Sequence, residues 1–167
     1  VDPSNADHLL YLSKELASLL TSYDGGQTWS VGQAFAPNRI LFAPSDPKTV
    51  YAGAFPLDCV DGTISSQDPA CTSQSNGLYI SNDGGQTWAA APSQQVSGGV
   101  QINALVVHPR DAQTVYVATN DGGVLKSTDG GQNWMQLNSG LPTLPVSVLA
   151  IAPSNPEILF TAMKGTE

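Results

Sequence analysis

One octapeptide occurs three times in the chain, at residues 22–29 (Ser-Tyr-Asp-Gly-Gly-Gln-Thr-Trp), 81–88 (Ser-Asn-Asp-Gly-Gly-Gln-Thr-Trp) and 127–134 (Ser-Thr-Asp-Gly-Gly-Gln-Asn-Trp). Six of its eight positions are identical in all three copies. Chance does not produce such a recurrence in 167 residues. The sequence therefore predicts a repeat protein built from one kind of supersecondary unit.

The octapeptide has the chemistry of a tight turn. Its Asp can accept hydrogen bonds from backbone N–H groups just downstream, and its Gly-Gly pair permits positive φ angles. Its Trp is expected to begin the next strand and to bury its ring between neighbouring sheets. We assign structural roles to four residues in each copy: Ser22, Asp24, Gly26, Trp29; Ser81, Asp83, Gly85, Trp88; and Ser127, Asp129, Gly131, Trp134.

A metal-binding or substrate-binding role for the three Asp residues is the alternative. Three equivalent copies fit a shared folding role better than they fit one site. A calcium loop also needs more oxygen ligands than one Asp per turn supplies. We therefore expect neither a metal site nor a cofactor.

The three octapeptides resemble the Asp-box, S-x-D-x-G-x-T-W, of BNR-repeat proteins. These include sialidases, xyloglucanase-type glycosidases, sortilin-like ectodomains and photosynthetic assembly factors. The resemblance covers almost the whole chain and implies an all-β fold, in which four antiparallel strands form each blade of a β-propeller. It implies little about function, because an Asp-box is a turn and not an active site.

Four turn-and-strand segments, each following a proline, divide the chain into repeats at approximately 1–36, 37–95, 96–140 and 141–167. In the first repeat, the leucines between residues 9 and 20 also fit a helical stripe, but alignment with the third repeat favours two strands. The four repeats are then predicted to contain three, four, four and two strands, which corresponds to about three and a quarter four-stranded blades. Closed propellers have four to eight blades. We therefore expect a fragment of a longer propeller, a view that the initial Val1 favours, or completion by a second copy.

The second repeat carries an insertion of nineteen residues within about residues 55–76. We interpret it as an ordered surface loop on one rim of the propeller. It contains Cys59 and Cys71, which we interpret as a disulfide; two free thiols are the alternative. A bridge would indicate an oxidising compartment, and we expect an extracellular, periplasmic or cell-surface location.

The charge balance excludes several classes of partner. The formal net charge is −8, with six Lys and Arg against fourteen Asp and Glu. Nucleic acids and anionic membrane surfaces select basic patches, so neither is expected as a partner. The chain has no run of eighteen apolar residues, and membrane insertion is not expected.

Catalytic signals are weak. Asp58 and Asp61 in the insertion are the one carboxylate pair outside the octapeptides that we consider for glycosidase chemistry, and a solvated acidic loop explains them better. A sialidase needs three arginines for the substrate carboxylate, and the chain has two. His8 is interpreted as a strand residue and His108 as a turn residue.

The aromatic residues do not indicate a binding groove. Tyr51, Tyr116 and Phe160 share one position in the repeat and are expected in the core. Tyr23 occupies the variable position of an octapeptide and is expected to be exposed. A single exposed ring does not make a sugar-binding platform.

The favoured functional hypothesis is a non-catalytic BNR-repeat propeller region of a secreted or cell-surface protein. It would recognise a protein or carbohydrate ligand on the rim where the insertion projects. One alternative is part of a xyloglucanase-like glycoside hydrolase, with catalytic carboxylates partly outside this chain. Another is an assembly or scaffolding factor.

Overall fold

A computed structural model describes residues 1–13, 18–32, 37–54, 77–120, 122–142 and 145–163. All the regular secondary structure in these ranges is β-strand, and the strands form four antiparallel sheets. The predicted all-β class, with antiparallel four-stranded sheets, is confirmed. Within the same ranges, no helix has the length and apolar character that crossing a bilayer requires.

Each sheet is a simple meander in which every strand pairs with its neighbour in the chain. Sheet 1 comprises β1 (Leu9–Ser13), β2 (Ser18–Ser22) and β3 (Ser30–Val31). Sheet 2 comprises β4 (Pro37–Ala43), β5 (Asp46–Ala54), β6 (Gly77–Ser81) and β7 (Ala89–Ala90). Sheet 3 comprises β8 (Ile102–Val107), β9 (Val115–Thr119), β10 (Gly123–Ser127) and β11 (Met135–Gln136), and sheet 4 comprises β12 (Val146–Ile151) and β13 (Leu159–Met163).

The first repeat forms strands, as predicted, and not the alternative helix. Tyr11 in β1 pairs with Leu20 in β2, and Leu12 pairs with Leu19. In the described residues the sheets contain three, four, four and two strands, as the repeat alignment predicts. The leucines fit a helical spacing only by coincidence, because they belong to two successive strands whose side chains alternate between the two faces of the sheet.

Neighbouring sheets pack face to face, and each contact joins opposite faces of two sheets. We call the face of a sheet that meets the following sheet its forward face, and the face that meets the preceding sheet its backward face. Between sheets 2 and 3, the forward residues Tyr51 and Leu78 pack with the backward residues Leu105, Val115 and Val117. All five are buried, and each aliphatic side chain of this kind contributes about 1.5–3 kcal/mol.

The other two contacts repeat this arrangement. Sheet 1 places Leu10, Leu12 and Leu19 against backward residues of sheet 2 that include Val50 and Trp88. Sheet 3 places Tyr116, Ala118 and Val124 against backward residues of sheet 4 that include Leu149 and Leu159. The core is therefore three layers between four sheets.

Phe160 corrects the expectation that its repeat position is buried. It is 58% exposed, whereas Tyr51 is fully buried and Tyr116 is 6% exposed. All three lie on forward faces, but in the described residues no sheet follows sheet 4. Burial at this position depends on the next sheet and not on the residue itself.

The three octapeptide tryptophans differ in burial for the same reason. Each immediately precedes the last strand of its sheet and lies on the backward face. Trp88 is 7% exposed because it packs on sheet 1, and Trp134 is half-buried against sheet 2. Trp29 is 40% exposed, contrary to expectation, because no described sheet precedes sheet 1.

We predict that two identical substitutions in equivalent motifs have unequal costs. Trp88→Ala should lower the free energy of unfolding by about 3–5 kcal/mol, the range for a buried aromatic residue. Trp29→Ala should lower it by about 1 kcal/mol, because Trp29 is 40% exposed and no described sheet packs on its ring from the other side. Urea unfolding followed by circular dichroism measures both values. Equal losses would show that the ring serves its own turn and not the contact between sheets.

Candidate functional site

The octapeptide turn is held by a closed set of hydrogen bonds. In the second copy, the Ser81 hydroxyl donates to Asp83 Oδ1 at 2.7 Å and accepts the Gly85 N–H at 2.8 Å. Asp83 Oδ1 also accepts the backbone N–H groups of Gln86 at 3.0 Å and Thr87 at 2.9 Å. These hydrogen bonds to the carboxylate hold the four residues that follow Asp83 in a single tight turn.

The other two copies repeat these bonds. Asp24 accepts the N–H of Thr28 at 2.9 Å, and Asp129 accepts the N–H of Asn133 at the same distance. Asn133 stands where the other copies have Thr, and its Nδ2 donates to Asp129 Oδ2 at 2.7 Å. An amide therefore replaces a hydroxyl at this position without loss of the turn.

Glycines connect the turn to the rest of its sheet and to the sheet before it. Gly84 and Gly85 have φ angles of 76° and 94°. The Gly84 N–H donates to the carbonyl of Lys48, near the start of β5, at 2.8 Å. A Cβ on Gly85 would lie 2.9 Å from Cδ1 of Leu10 in sheet 1. Only a glycine lets the turn approach sheet 1 this closely.

The hydrogen bonds stabilise the charged form of each motif carboxylate. Those from the Thr28 side chain and backbone lower the pKa of Asp24 to about 2, and those from Asn133 lower the pKa of Asp129 to about 2. Burial raises the pKa of Asp83, but bonds from Thr87 and Ser81 outweigh it and lower this pKa to about 2. Such carboxylates are poor general acids.

An apolar pocket of about 270 Å³ opens where the first strands of three sheets end. β4 packs beside β8, and β8 packs beside β12, so these strands form the inner edge of the array. The lining combines residues of these strands with the proline that follows each strand: Leu41, Phe42, Pro44, Val106, Val107, Pro109, Ile151 and Pro153. Three repeats thus build one concavity from equivalent positions.

Among the described residues, the pocket walls contain no charged or hydrogen-bonding side chain. Acidic groups follow two of the prolines closely in the chain: Asp46 begins β5, and Asp111 lies in the turn between β8 and β9. Asp46 accepts the Thr49 hydroxyl at 2.9 Å, and Asp111 accepts the Thr114 hydroxyl at 2.6 Å. The bond from Thr114 lowers the pKa of Asp111, which is therefore ionised at neutral pH. The arrangement offers an apolar cavity with negative charge beside it.

A second groove, of about 250 Å³, lies between sheets 2 and 3. Its lining mixes apolar residues with the polar residues Asn82, Gln113 and Gln132, together with Asp129, whose oxygens are used in its own turn. The Tyr51 hydroxyl donates to the Ala112 carbonyl at 2.8 Å, and burial raises the pKa of Tyr51 to about 12. No group among these is poised for proton transfer near neutral pH.

A buried pair of Asp2 and His8 was not anticipated from the sequence. His8 Nδ1 lies 3.0 Å from Asp2 Oδ2, and the imidazole stacks on Tyr23 with 4.6 Å between ring centroids. The equivalent positions in the second and third repeats are Thr49 and Thr114, which bond to Asp46 and Asp111 instead. The spacing of residues in the sequence does not indicate that an Asp–His pair replaces the Asp–Thr hydrogen bond in the first repeat. The ring packs between sheets 1 and 2, with Phe42 on its edge.

The glycosidase candidates Asp58 and Asp61 and the cysteines Cys59 and Cys71 lie outside the described residues. The described residues that flank the insertion, Ala54 and Gly77, lie at the far end of β5 from the turn that begins with Pro44. The apolar pocket and these two flanking residues are therefore at opposite ends of β5. In the described ranges, no three His, Cys, Asp or Glu residues lie close enough together to hold a metal ion.

Two family models match the chain. The Sortilin-Vps10 model, described as sortilin, neurotensin receptor 3, matches residues 76–166. The BNR/Asp-box repeat model matches residues 20–31, which include the first octapeptide. The Sortilin-Vps10 match covers more than half of the chain and includes the second and third octapeptides.

Known proteins with similar sequence or fold are much longer than this chain. An oligoxyloglucan-reducing end-specific xyloglucanase of Emericella nidulans is 28% identical over 143 residues, covering 80% of this chain and 16% of that enzyme. A GH74 enzyme of Niastella koreensis has a TM-score of 0.66 at 22% identity, covering 98% of this chain and 25% of the other. YCF48 bound to D1 peptide has a TM-score of 0.56 at 19% identity, covering 90% and 43%. These structural likenesses show the propeller fold.

We predict that the motif carboxylates make stability depend on pH. The folded-state pKa of Asp83, about 2, is below its ordinary value of 3.8, so its contribution is full above about pH 5 and is lost as pH falls toward 2. Asp83→Asn should lower the free energy of unfolding by about 1 kcal/mol at pH 7. The difference from the unmodified chain should shrink between pH 5 and pH 2.

Urea unfolding at a series of pH values measures this difference. Glu157→Gln is the matched control, because Glu157 is exposed and its side chain makes no hydrogen bond in the described residues. A difference for Asp83→Asn that stays constant down to pH 2 would contradict the assignment.

Proposed function

The chain belongs to the Sortilin-Vps10 family of BNR/Asp-box β-propeller proteins, and from this premise we propose that it is a non-catalytic module that recognises a protein ligand. The observation that carries the proposal is the apolar pocket at the inner edge of sheets 2, 3 and 4. A concave apolar site beside polar or charged groups is the usual form of a ligand pocket. The pocket accepts one apolar side chain of the ligand.

The chemistry of the pocket favours an aromatic or large aliphatic residue of a peptide segment. Burying such a side chain contributes about 1.5–3 kcal/mol, which is too little for stable binding without further contacts. Asp46 and Asp111, each two residues beyond a proline of the pocket, supply negative charge for those contacts. We therefore infer a ligand segment in which Lys or Arg flanks an apolar anchor, in keeping with the net charge of −8.

A sugar ligand fits this pocket less well. Its walls offer no side-chain donors or acceptors for sugar hydroxyl groups. Glycosidase chemistry also requires a carboxylic acid with a raised pKa opposite a second carboxylate. In the described residues, the carboxyl groups of Asp2, Asp24, Asp83, Asp111 and Asp129 all have lowered pKa values.

A second candidate function is part of a glycoside hydrolase of the xyloglucanase type. The resemblance to the Emericella nidulans xyloglucanase favours it. Asp58 and Asp61 would be the carboxylates that this chain contributes, with the others outside it. An assembly factor that binds a peptide is a variant of the first proposal, and the likeness to YCF48 bound to D1 peptide supports it.

The proposal has an organisational part. The repeats at approximately 1–36, 37–95, 96–140 and 141–167 form part of a propeller, and its remaining sheets come from the same longer chain or from a second copy. The protein acts in an extracellular, periplasmic or cell-surface compartment. The proposed Cys59–Cys71 bridge would be stable there.

We predict that a peptide with a central Trp between lysines binds the chain saturably, as measured by fluorescence anisotropy of a labelled heptapeptide. The same peptide with Ser in place of Trp should bind at least about 10-fold more weakly, since about 1.4 kcal/mol corresponds to that factor. Val107→Phe, which fills part of the pocket, should weaken binding of the Trp peptide by a similar factor. Met135→Phe is the control, because Met135 is exposed on β11, away from the pocket.

Equal binding of the Trp and Ser peptides would overturn the pocket as the anchor site. The enzyme alternative has its own readout, the release of reducing ends from xyloglucan. Release that is lost in Asp58→Asn or Asp61→Asn, with peptide binding unchanged, would favour the hydrolase.

A further inference from the structure

The groove between sheets 2 and 3 is formed inside the array, because each of these sheets packs against a described sheet on both of its faces. Three side-chain amides line it. Asn82 belongs to the second octapeptide, Gln113 to the turn between β8 and β9, and Gln132 to the third octapeptide. The groove shares no lining residue with the apolar pocket, so the two are separate sites.

The three amides are not used by the fold. Within the described residues, none of these side chains forms a hydrogen bond, and all three residues are exposed. Gln113 and Gln132 bond there only through backbone atoms, and their N–H groups donate to Asp111 and Asp129. Each side-chain amide offers two N–H donors and a carbonyl acceptor. The groove therefore presents a set of donors and acceptors that is available to a ligand.

The repeat architecture does not require amides at these positions. At the junction of sheets 1 and 2, Tyr23 stands at the position of Asn82, and Lys48 stands at that of Gln113. Lys48 and Gln113 both accept the N–H of the first glycine of an octapeptide through their backbone carbonyls, at 2.8 and 2.9 Å. The structural contact is thus the same in both repeats, and the amide side chains distinguish the groove between sheets 2 and 3.

The remaining lining sets the charge and size of a ligand. Asp129 is the one charged residue among the described residues that line the groove, and its oxygens already accept hydrogen bonds within its own turn. Bonds from Asn133 lower the pKa of Asp129 to about 2, so an anionic ligand would meet a like charge. Small apolar groups, Ala89, Ala90 and Pro92, lie on the other side. A compact and neutral ligand with both polar and apolar surfaces matches this lining.

We propose that the groove between sheets 2 and 3 binds one ring of a neutral saccharide. Sugar hydroxyl groups both donate and accept hydrogen bonds, as the amides do, and the C–H groups of the ring match the small apolar side chains. The volume of about 250 Å³ is just below the range of about 300–1,000 Å³ for pockets that hold drug-sized ligands, as a single ring requires. The proposal adds a second site and does not rest on the apolar pocket.

An extended peptide is a poorer occupant of this groove. A peptide that joins a sheet edge depends on main-chain hydrogen bonds along the edge strand. The edge strand beside the groove, β7, has only two residues, and Pro92, which follows shortly after it, has no N–H to donate. The side-chain amides, and not a strand edge, are therefore the main source of hydrogen bonds here.

The test is a titration of the purified, isotope-labelled chain with D-glucose and D-galactose, followed by two-dimensional NMR of its amide groups. At least one sugar should shift the side-chain NH₂ signals of Gln113 and Gln132 saturably. The expected Kd is on the order of 1 mM, as for a ligand of about a dozen non-hydrogen atoms. D-Glucuronate and D-galacturonate, the acids of the same two sugars, should bind more weakly than their parents because of the charge of Asp129.

Variants connect the signal to the groove. Gln113→Leu and Gln132→Leu each remove one amide and should weaken sugar binding about 3- to 10-fold, the effect of a lost hydrogen bond. Ala90→Phe fills the apolar side of the groove and should weaken binding at least as much. Gln86→Leu is the matched control, because Gln86 holds the position of Gln132 in the second octapeptide and is exposed outside the groove. Circular dichroism checks that each variant is folded.

Several results would overturn the proposal. They are the absence of saturable shifts with both neutral sugars, unchanged binding in Gln113→Leu and Gln132→Leu, an equal loss in Gln86→Leu, and tighter binding of an acid than of its parent sugar. A blocked tetra-alanine peptide that shifts the same signals at lower concentration than either sugar would assign the groove to peptide instead. None of these results bears on the Trp peptide assay, so failure here leaves the proposed recognition function standing.

Discussion

The stability of each sheet in this protein depends on the sheet beside it. A meander of short strands has two faces, and the repeat places apolar residues on both. Tyr51 and Val115 are buried because sheets 2 and 3 cover each other, and equivalent residues at the ends of the array are left in solvent. The core is therefore a series of interfaces between sheets, with no centre that one sheet could supply alone.

The octapeptide turns make those interfaces regular. Each motif carboxylate forms hydrogen bonds within its own turn. Each Trp indole N–H donates to the carbonyl of the second glycine of the motif, as Trp88 does to Gly85 at 2.9 Å. The turn thus fixes the angle at which the ring leaves the sheet. Its position above the preceding sheet follows from this local geometry, so one local motif sets a contact between distant parts of the chain.

The sequence predicts the strand order and the turn chemistry well, because both are local. Repeat alignment assigns Leu9–Leu12 to a strand even where spacing also fits a helix. It fails for Phe160 and Trp29, because equivalent positions differ in burial where the described residues form no neighbouring sheet. The sequence also did not predict the Asp2–His8 pair or the apolar pocket. The pair replaces a Thr–Asp bond without altering any pattern, and the pocket arises only when three prolines meet in space.

The two ends of the long strand β5 differ in how strongly the fold constrains the sequence next to them. The start of β5, just after Pro44, is tied to its neighbours through the Gly84–Lys48 bond and through the packing of adjacent inner strands. The gap between Ala54 and Gly77 admits nineteen more residues than the third repeat has there. The strand start beside the inner edge is thus constrained by its neighbours, whereas the connection from β5 to β6 differs in length between repeats. Because Ala54 and Gly77 lie at the far end of β5 from Pro44, the length of this connection can differ between repeats without changing the packing of the inner strands.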